Sequence, residues 1–184
     1  ELALKLSESE KIDCVGRIDW NYFPDGTPNF RIHGFEENMI EGSDILFYAD
    51  FRDFSTVMAQ FSVLYVFCES FIHSLTVICP FYPTATMERV QFEGNNINFH
   101  HNLTGEIATA NTLAWMFNSL PRIANPSKII IYDLHTLQNR FYFKGGALAS
   151  MATAVPLVKN VIEKEYQREE IAIAFPDEGA NKRF

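Results

Sequence analysis

An apolar run, Lys128-Ile129-Ile130-Ile131-Tyr132, ends abruptly in Asp133-Leu134-His135. Ligands of open α/β sheets bind outside the carboxyl ends of parallel strands, so a carboxylate and an imidazole two residues apart at such an end mark a candidate site. The pair suits a metal–nucleotide complex. It suits equally a helix N-cap aspartate followed by a surface histidine. Two further strand ends repeat the pattern. After Leu75 to Cys79 comes Pro80-Phe81-Tyr82-Pro83-Thr84-Ala85-Thr86-Met87-Glu88-Arg89, a rigid turn carrying two hydroxyls, an acid and a base. After Ile171 to Phe175 comes Pro176-Asp177-Glu178-Gly179, with Lys182-Arg183 close behind. Oxygen ligands for a hard cation, with guanidinium and ammonium groups for phosphates, are what a magnesium-bound polyphosphate requires.

Other polar groups carry less. His100 and His101 are adjacent, and adjacent side chains rarely converge on one ion. Gly145-Gly146 reads as a turn and lacks the spacing of a dinucleotide or Walker phosphate loop. Asn102-Leu103-Thr104 matches a glycosylation sequon, which has no meaning in a cytosolic protein. Cys14, Cys68 and Cys79 lie in apolar runs without metal-type spacing and are expected to be buried thiols in a reducing compartment. A formal net charge of −8 argues against nucleic acid and anionic membranes, because clustered Lys and Arg are missing. Residues Glu1 to Glu10 show neither a basic nor an apolar signal region, so a cytoplasmic location is expected.

The elements that would position these ends alternate between short β-branched runs and helical patterns, which predicts an α/β fold with a parallel sheet flanked by helices. Expected strands are Lys11 to Val15, Phe30 to His33, Ile45 to Tyr48, Leu75 to Cys79, Lys128 to Tyr132 and Ile171 to Phe175. A helix is expected over Phe54 to Phe71, with Val57, Phe61, Leu64, Cys68 and Phe71 on one side and Met58, Val63, Val66 and Phe67 making it apolar nearly all round. Its polar interruptions leave it short of the roughly 18 to 20 apolar residues that span a bilayer, so a subunit interface is the expected use of the second face. A second helix is expected over Glu106 to Leu120 with Thr104 as N-cap, after a mobile Asn-rich loop from Phe92 to Asn102. A third is expected to open with Pro156 at its first position and run to Gln167. At 184 residues the chain suffices for one domain, residues 1–148, and the beginning of another, 149–184.

The order Phe23-Pro24-Asp25-Gly26, Phe30-Arg31-Ile32, Glu37-Asn38, Pro80 to Arg89, Asp133-Leu134-His135 and Pro176-Asp177-Glu178-Gly179 resembles ribose-phosphate pyrophosphokinase, or phosphoribosyl pyrophosphate (PRPP) synthetase. The resemblance runs from Cys14 to Phe184 and corresponds to the amino-terminal half and a little more of an ordinary member. It is strongest to the plant-type class II branch, through Pro83 to Arg89, Ala108-Thr109-Ala110, Leu137 to Phe143 and Ile173 to Gly179. The resemblance implies a phosphoribosyltransferase-like fold, magnesium as cofactor, and transfer of pyrophosphate from ATP to the 1-hydroxyl of ribose 5-phosphate. It implies that His135 and Asp177 are metal ligands, with His135 also at the ATP phosphates. It places Thr86, Glu88 and Arg89 in the nucleotide loop. Phe23 and Asp25 match a segment that crosses a subunit interface to a neighbour's adenine, which makes a homo-oligomer the expected state.

Departures bound these expectations. Thr86 and Met87 stand where class I members have Arg and Gln, and Thr27 replaces the Glu usual after the Phe-x-Asp-Gly turn. No catalytic residue is assigned, because the family's catalytic loop with its Lys and the loop for ribose 5-phosphate are not among these residues. Two readings therefore stand: part of a PRPP synthetase, inactive without those loops, or a non-catalytic subunit that oligomerises with the enzyme and regulates it.

Overall fold

The structure, a computed structural model, describes residues 8, 11–35, 37–83, 107–134, 137–166, 171–175, 178 and 180. By backbone contacts the chain divides into two compact units, Glu1–Met151 and Ala152–Phe184. The first holds a hairpin of β1 (Ile18–Tyr22) and β2 (Pro28–Ile32), paired antiparallel. It also holds a four-stranded sheet in the order β3 (Asp44–Tyr48), β4 (Ser74–Cys79), β5 (Ser127–Tyr132) and β6 (Ala147–Ala152). β3 and β5 both run parallel to β4.

Alternation explains the sheet. On β4, Leu75, Val77 and Cys79 point to the core, while Ser74, Thr76 and Ile78 are half-buried on the other face. The register sets Phe47 beside Val77 and Val77 beside Ile129, and Cys79 beside Ile131, so apolar rows cross the sheet. Burial of each such side chain contributes about 1.5–3 kcal/mol.

Two helices cover this face. α1 (Phe54–Glu69) starts where Asp53 accepts a hydrogen bond from the Thr56 N–H. It buries Val57, Phe61, Leu64 and Cys68 on the expected stripe and also Ala59, Gln60, Val63 and Phe67, whereas Met58 and Val66 are exposed. α2 (Thr109–Asn118) buries Ala110, Leu113, Ala114 and Phe117. The Phe61 ring meets Phe117 at 4.7 Å between centroids and stacks on Phe51 at 6.0 Å, which locks the two helices to the β3–α1 connection. A 3-10 helix, Leu137–Tyr142, joins β5 to β6. In the second unit, α3 (Val155–Glu165) has Pro156 at its second position, and its Leu157, Val158 and Val161 are exposed.

The structure corrects several expectations. Lys11 to Val15 and Ile171 to Phe175 are not strands, and both runs are largely exposed, because an apolar run without a neighbouring ladder has nowhere to place its amides. β1 and β6 are strands that local composition did not announce. α2 begins at Thr109 after Ala108, which offers no side-chain cap, so Thr104 is not its N-cap. Cys14 is exposed, unlike buried Cys68 and Cys79. The stretch Phe92 to Asn102, with His100, His101 and the Asn102 sequon, lies outside the described residues.

Candidate functional site

The carboxyl ends of β3, β4 and β5 lie along one edge because the three strands are parallel and adjacent. The first corner, Ala49 to Asp53, is held by one buried side chain. Gln60 on α1 accepts from the Asp50 N–H at 2.9 Å and donates its own amide to the Asp50 carbonyl at 2.7 Å. The corner then turns three charges outward. Arg52 grips the Asp50 carboxylate, with Nε 2.9 Å from Oδ2, and that bond holds the Asp50 carboxyl below the usual range. Asp53 is also held low, by the Thr56 N–H that it caps. Arg52 is not singled out by the sequence, and Gln60 stands there only as a polar interruption of an apolar helix. The available signal was Asp-Phe-Arg-Asp between an apolar run and a helix, where an N-cap must fall.

The second corner, Pro80 to Pro83, is anchored differently. Tyr82 is buried and donates its hydroxyl to the Ala110 carbonyl in the first turn of α2, 2.9 Å away. Its ring meets Phe143, and burial pushes its hydroxyl well above the ordinary range. Cys79 donates to the Phe81 carbonyl, and burial pushes its thiol up to about 12. Neither group is poised for chemistry near neutral pH. Phe81, by contrast, is exposed.

The third corner follows β5. Asp133 has φ +46°, in the left-handed region that Asp tolerates better than most residues, and Leu134 turns inward. With its φ in the left-handed region, Asp133 lacks the extended backbone of a helix N-cap. α2 braces the chain beyond this corner. Asn118, at its carboxyl end, donates to the Tyr142 carbonyl at 2.9 Å and accepts from the Lys144 N–H at 2.8 Å. A Cβ at Gly146 would overlap the Asn118 carbonyl oxygen, so this close approach needs glycine.

Phe23 and Asp25 sit elsewhere, on the β1–β2 connection. The turn closes by Phe23 N–H to the Thr27 carbonyl at 2.8 Å and Gly26 N–H to the Phe23 carbonyl at 2.9 Å, with Gly26 at φ +84°. The ring of Phe23 is left half in solvent, 51% exposed. Asp25 commits Oδ1 to the Thr27 N–H at 2.9 Å, and this bond lowers its pKa. Thr27, the departure from the family pattern, thus belongs to the turn itself. Thr86, Glu88, Arg89, His135 and Asp177 lie outside the described residues.

Two more carboxylate clusters lie away from that edge. At the amino ends of β3 and β4, Asp44 accepts from Ser74 and meets His73 Nδ1 at 2.7 Å. On the hairpin, Asp19 meets His33 Nε2 at 2.8 Å and Arg17 Nε at 3.1 Å. These exposed pairs lower the two carboxyl pKa values, through Ser74 first at Asp44 and through His33 first at Asp19. Among the described residues, no three of His, Cys, Asp or Glu gather as a metal cage.

No family model matches the chain. It is 37% identical over its whole length to ribose-phosphate pyrophosphokinase 4 of Oryza sativa subsp. japonica, and spans 53% of that protein. Over its whole length it is also 35% identical to the mitochondrial ribose-phosphate pyrophosphokinase 3 of Spinacia oleracea, spanning 42% of it. The chloroplastic ribose-phosphate pyrophosphokinase 3 of Arabidopsis thaliana is 36% identical across 95% of this chain and 40% of its own length. The chain therefore covers about half, or less, of the relatives it matches. The crystal structure of phosphoribosylpyrophosphate synthetase from Mycobacterium smegmatis superposes on 91% of this chain and 48% of that one, with a TM-score of 0.64 and 20% identity, a likeness of fold.

Proposed function

We infer, from similarity to the ribose-phosphate pyrophosphokinases that runs the whole length of the chain, that these residues carry the nucleotide-holding part of such an enzyme. The reaction is transfer of pyrophosphate from ATP to the 1-hydroxyl of ribose 5-phosphate. That whole-length identity is the observation that carries the reading, and three strand ends aligned at one sheet edge supply a place for it.

Phosphoryl-type transfer asks for positioning and charge stabilisation more than for covalent help from the protein. Orientation alone accounts for about 7–11 kcal/mol of a barrier, which rigid corners can supply. Magnesium fits as cofactor because it takes oxygen ligands, keeps several waters and needs only one or two protein groups beside the substrate phosphates. The carboxylate of Asp133 at the β5 corner is chemistry of that kind, and His135 and Asp177 are the residues assigned to hold the ion. When bound, it would screen charge on the bridging phosphate oxygens. Thr86, Glu88 and Arg89 are assigned to the nucleotide, with Arg89 matching phosphate. Phe23 offers a stacking face and Asp25 an acceptor for an exocyclic amine.

Self-association is part of the proposal, supported by the half-exposed Phe23 and by the exposed Met58 and Val66 on α1. The division after Met151 supports reading residues 149–184 as the start of a second domain. Three free thiols support a reducing compartment, the cytoplasm as proposed, and among the described residues no helix is long and apolar enough to cross a membrane.

Titration calorimetry with ATP tests the reading. Binding is expected to require magnesium and to weaken about 10- to 100-fold in His135→Ala. Equal affinity without magnesium, or in the variant, would refute it. Sedimentation at micromolar concentration tests the oligomer.

A further inference from the structure

α1 shows solvent a narrow row of side chains. Met58, Ser62 and Val66 are exposed, every residue between them is buried or half-buried, and Phe54 continues the row at the amino end. Such an i, i+4 row is the ridge by which helices pack on one another. Ser62 is a notch in it. Its hydroxyl donates to its own helix, at the Met58 carbonyl 3.0 Å away, so it brings no unmet hydrogen bond to a contact. A groove runs along each side of the ridge, and Ser62 borders both. One, of about 440 Å³, lies between α1 and the hairpin, against Phe30, Arg31, Ile32, Phe35 and Val63. The other, of about 290 Å³, lies between α1 and α2, against Phe61, Tyr65, Met116 and Ser119.

Charge says what can lie there. The chain carries a formal net charge of −8, so two copies repel unless they meet where charge is missing. α1 has no charged residue between Asp53 and Glu69, and among the described residues that line the two grooves only Arg31 is charged. The face is also complementary to itself. A ridge with a groove on each side accepts an identical ridge that crosses it, one half of the crossing helix falling in each groove. We propose that this face takes a second copy of the chain, the two α1 helices crossing on a two-fold axis at Ser62. The inference locates the contact within the self-association proposed above and rests on it. Packed helices lie about 8–10 Å apart with Cα atoms about 2.3 Å from each axis, which leaves about 3.4–5.4 Å between the Cα atoms of two facing serines. Only a small residue fits at that separation, and its upper part lies within the roughly 4.4–6.8 Å that a disulfide spans.

Cross-linking tests the crossing point. In a Cys14→Ser background, which leaves only the two buried thiols, Ser62→Cys is expected to form a disulfide-linked dimer under copper–phenanthroline at least about tenfold faster than Ser55→Cys, exposed on the same helix two turns away. Linking no faster at 62 than at 55 overturns the proposal. Ser62→Arg is expected to keep the parent's circular dichroism spectrum and to weaken association at least about 100-fold in sedimentation, because it sets two like charges on the axis. A parent oligomer that this variant leaves intact overturns the α1 contact while self-association stands. A parent that sediments as a monomer at micromolar concentration overturns both, and slow alkylation of Ser62→Cys in that monomer would show the face covered by the chain's own residues. Should the arginine variant not fold, the cross-linking comparison decides. Titration of the parent with ATP judges the nucleotide reading separately.

Discussion

Gln60→Leu is expected to destabilise the protein by about 2–3 kcal/mol, and the structure shows where that figure comes from. Leucine is close in size and apolar, so it leaves no large cavity beside Phe61 and Leu64. What it removes is a pair of hydrogen bonds, from the Asp50 N–H at 2.9 Å and to the Asp50 carbonyl at 2.7 Å. Each such bond nets about 1 kcal/mol, and orphaning a buried main-chain group costs about 1–3 kcal/mol. The Asp50 side chain is 47% exposed, so water can reach part of the freed corner and hold the sum toward the low end. For a chain of this size the thermal midpoint falls about 2–4 °C per kcal/mol, or about 4–12 °C in all. Gln60→Glu separates hydrogen bonding from packing. The introduced carboxyl still accepts from the Asp50 N–H, but it donates to the Asp50 carbonyl only when protonated. Its folded pKa is therefore raised above the ordinary value of about 4.3. With the folded value raised, stability relative to the parent is greatest below about pH 4.3 and is lost as pH rises through the folded pKa. Urea unfolding followed by circular dichroism at several pH values reads both variants. A leucine variant within about 0.5 kcal/mol of the parent, or a glutamate deficit that is flat with pH, would refute the clamp.

Under native conditions iodoacetamide should label Cys14 and spare Cys68 and Cys79, since Cys14 is exposed and the other thiols are buried and pushed up in pKa. Intact mass should show one adduct native and three after denaturation, and rapid native labelling of Cys79 would contradict the packing of β4. The same thiol makes stability fall with alkali, because the unfolded thiol ionises from its ordinary value of 9.0 while the folded one waits until about 12. Tyr82→Phe should cost about 1 kcal/mol through the lost bond to the Ala110 carbonyl, read as a shift in urea midpoint at constant slope.

Sequence pattern reveals an element well when the reason for it is local. The runs in β4 and β5 and the helix from Phe54 were legible because a short β-branched run and helical spacing are properties of a few neighbouring residues. Lys11 to Val15 and Ile171 to Phe175 misled because apolar composition says what a strand would bury, not whether a partner strand lies beside it. The β1–β2 hairpin had a visible Asp25-Gly26 turn, yet its first strand, Ile18–Tyr22, mixes Asp19 and Asn21 with aromatics and reads weakly. The burial of Asn139 was invisible for the opposite reason. Leu137 and Phe141 flank it, and any pattern would have sent those two inward and the amide out.

The same distinction governs the candidate site. Charged residues at strand ends announce themselves, but what makes a corner usable is the buried polar side chain behind it, and those partners are distant in sequence. Gln60 lies ten residues from Asp50, Tyr82 lies 28 from Ala110, and Asn118 lies 24 from Tyr142 and 26 from Lys144. α2 is common to two of these ties, receiving the Tyr82 hydroxyl in its first turn and extending Asn118 from its carboxyl end. A shift of α2 must therefore move the second corner and the chain at Tyr142 to Lys144 together, and through the contacts of Phe117 with Phe51 and Phe61 it bears on the first corner as well. That coupling holds the end of β4 and the chain that leaves the 3-10 helix on one strut, and fixed orientation of this kind is what lets a corner hold a ligand in one pose.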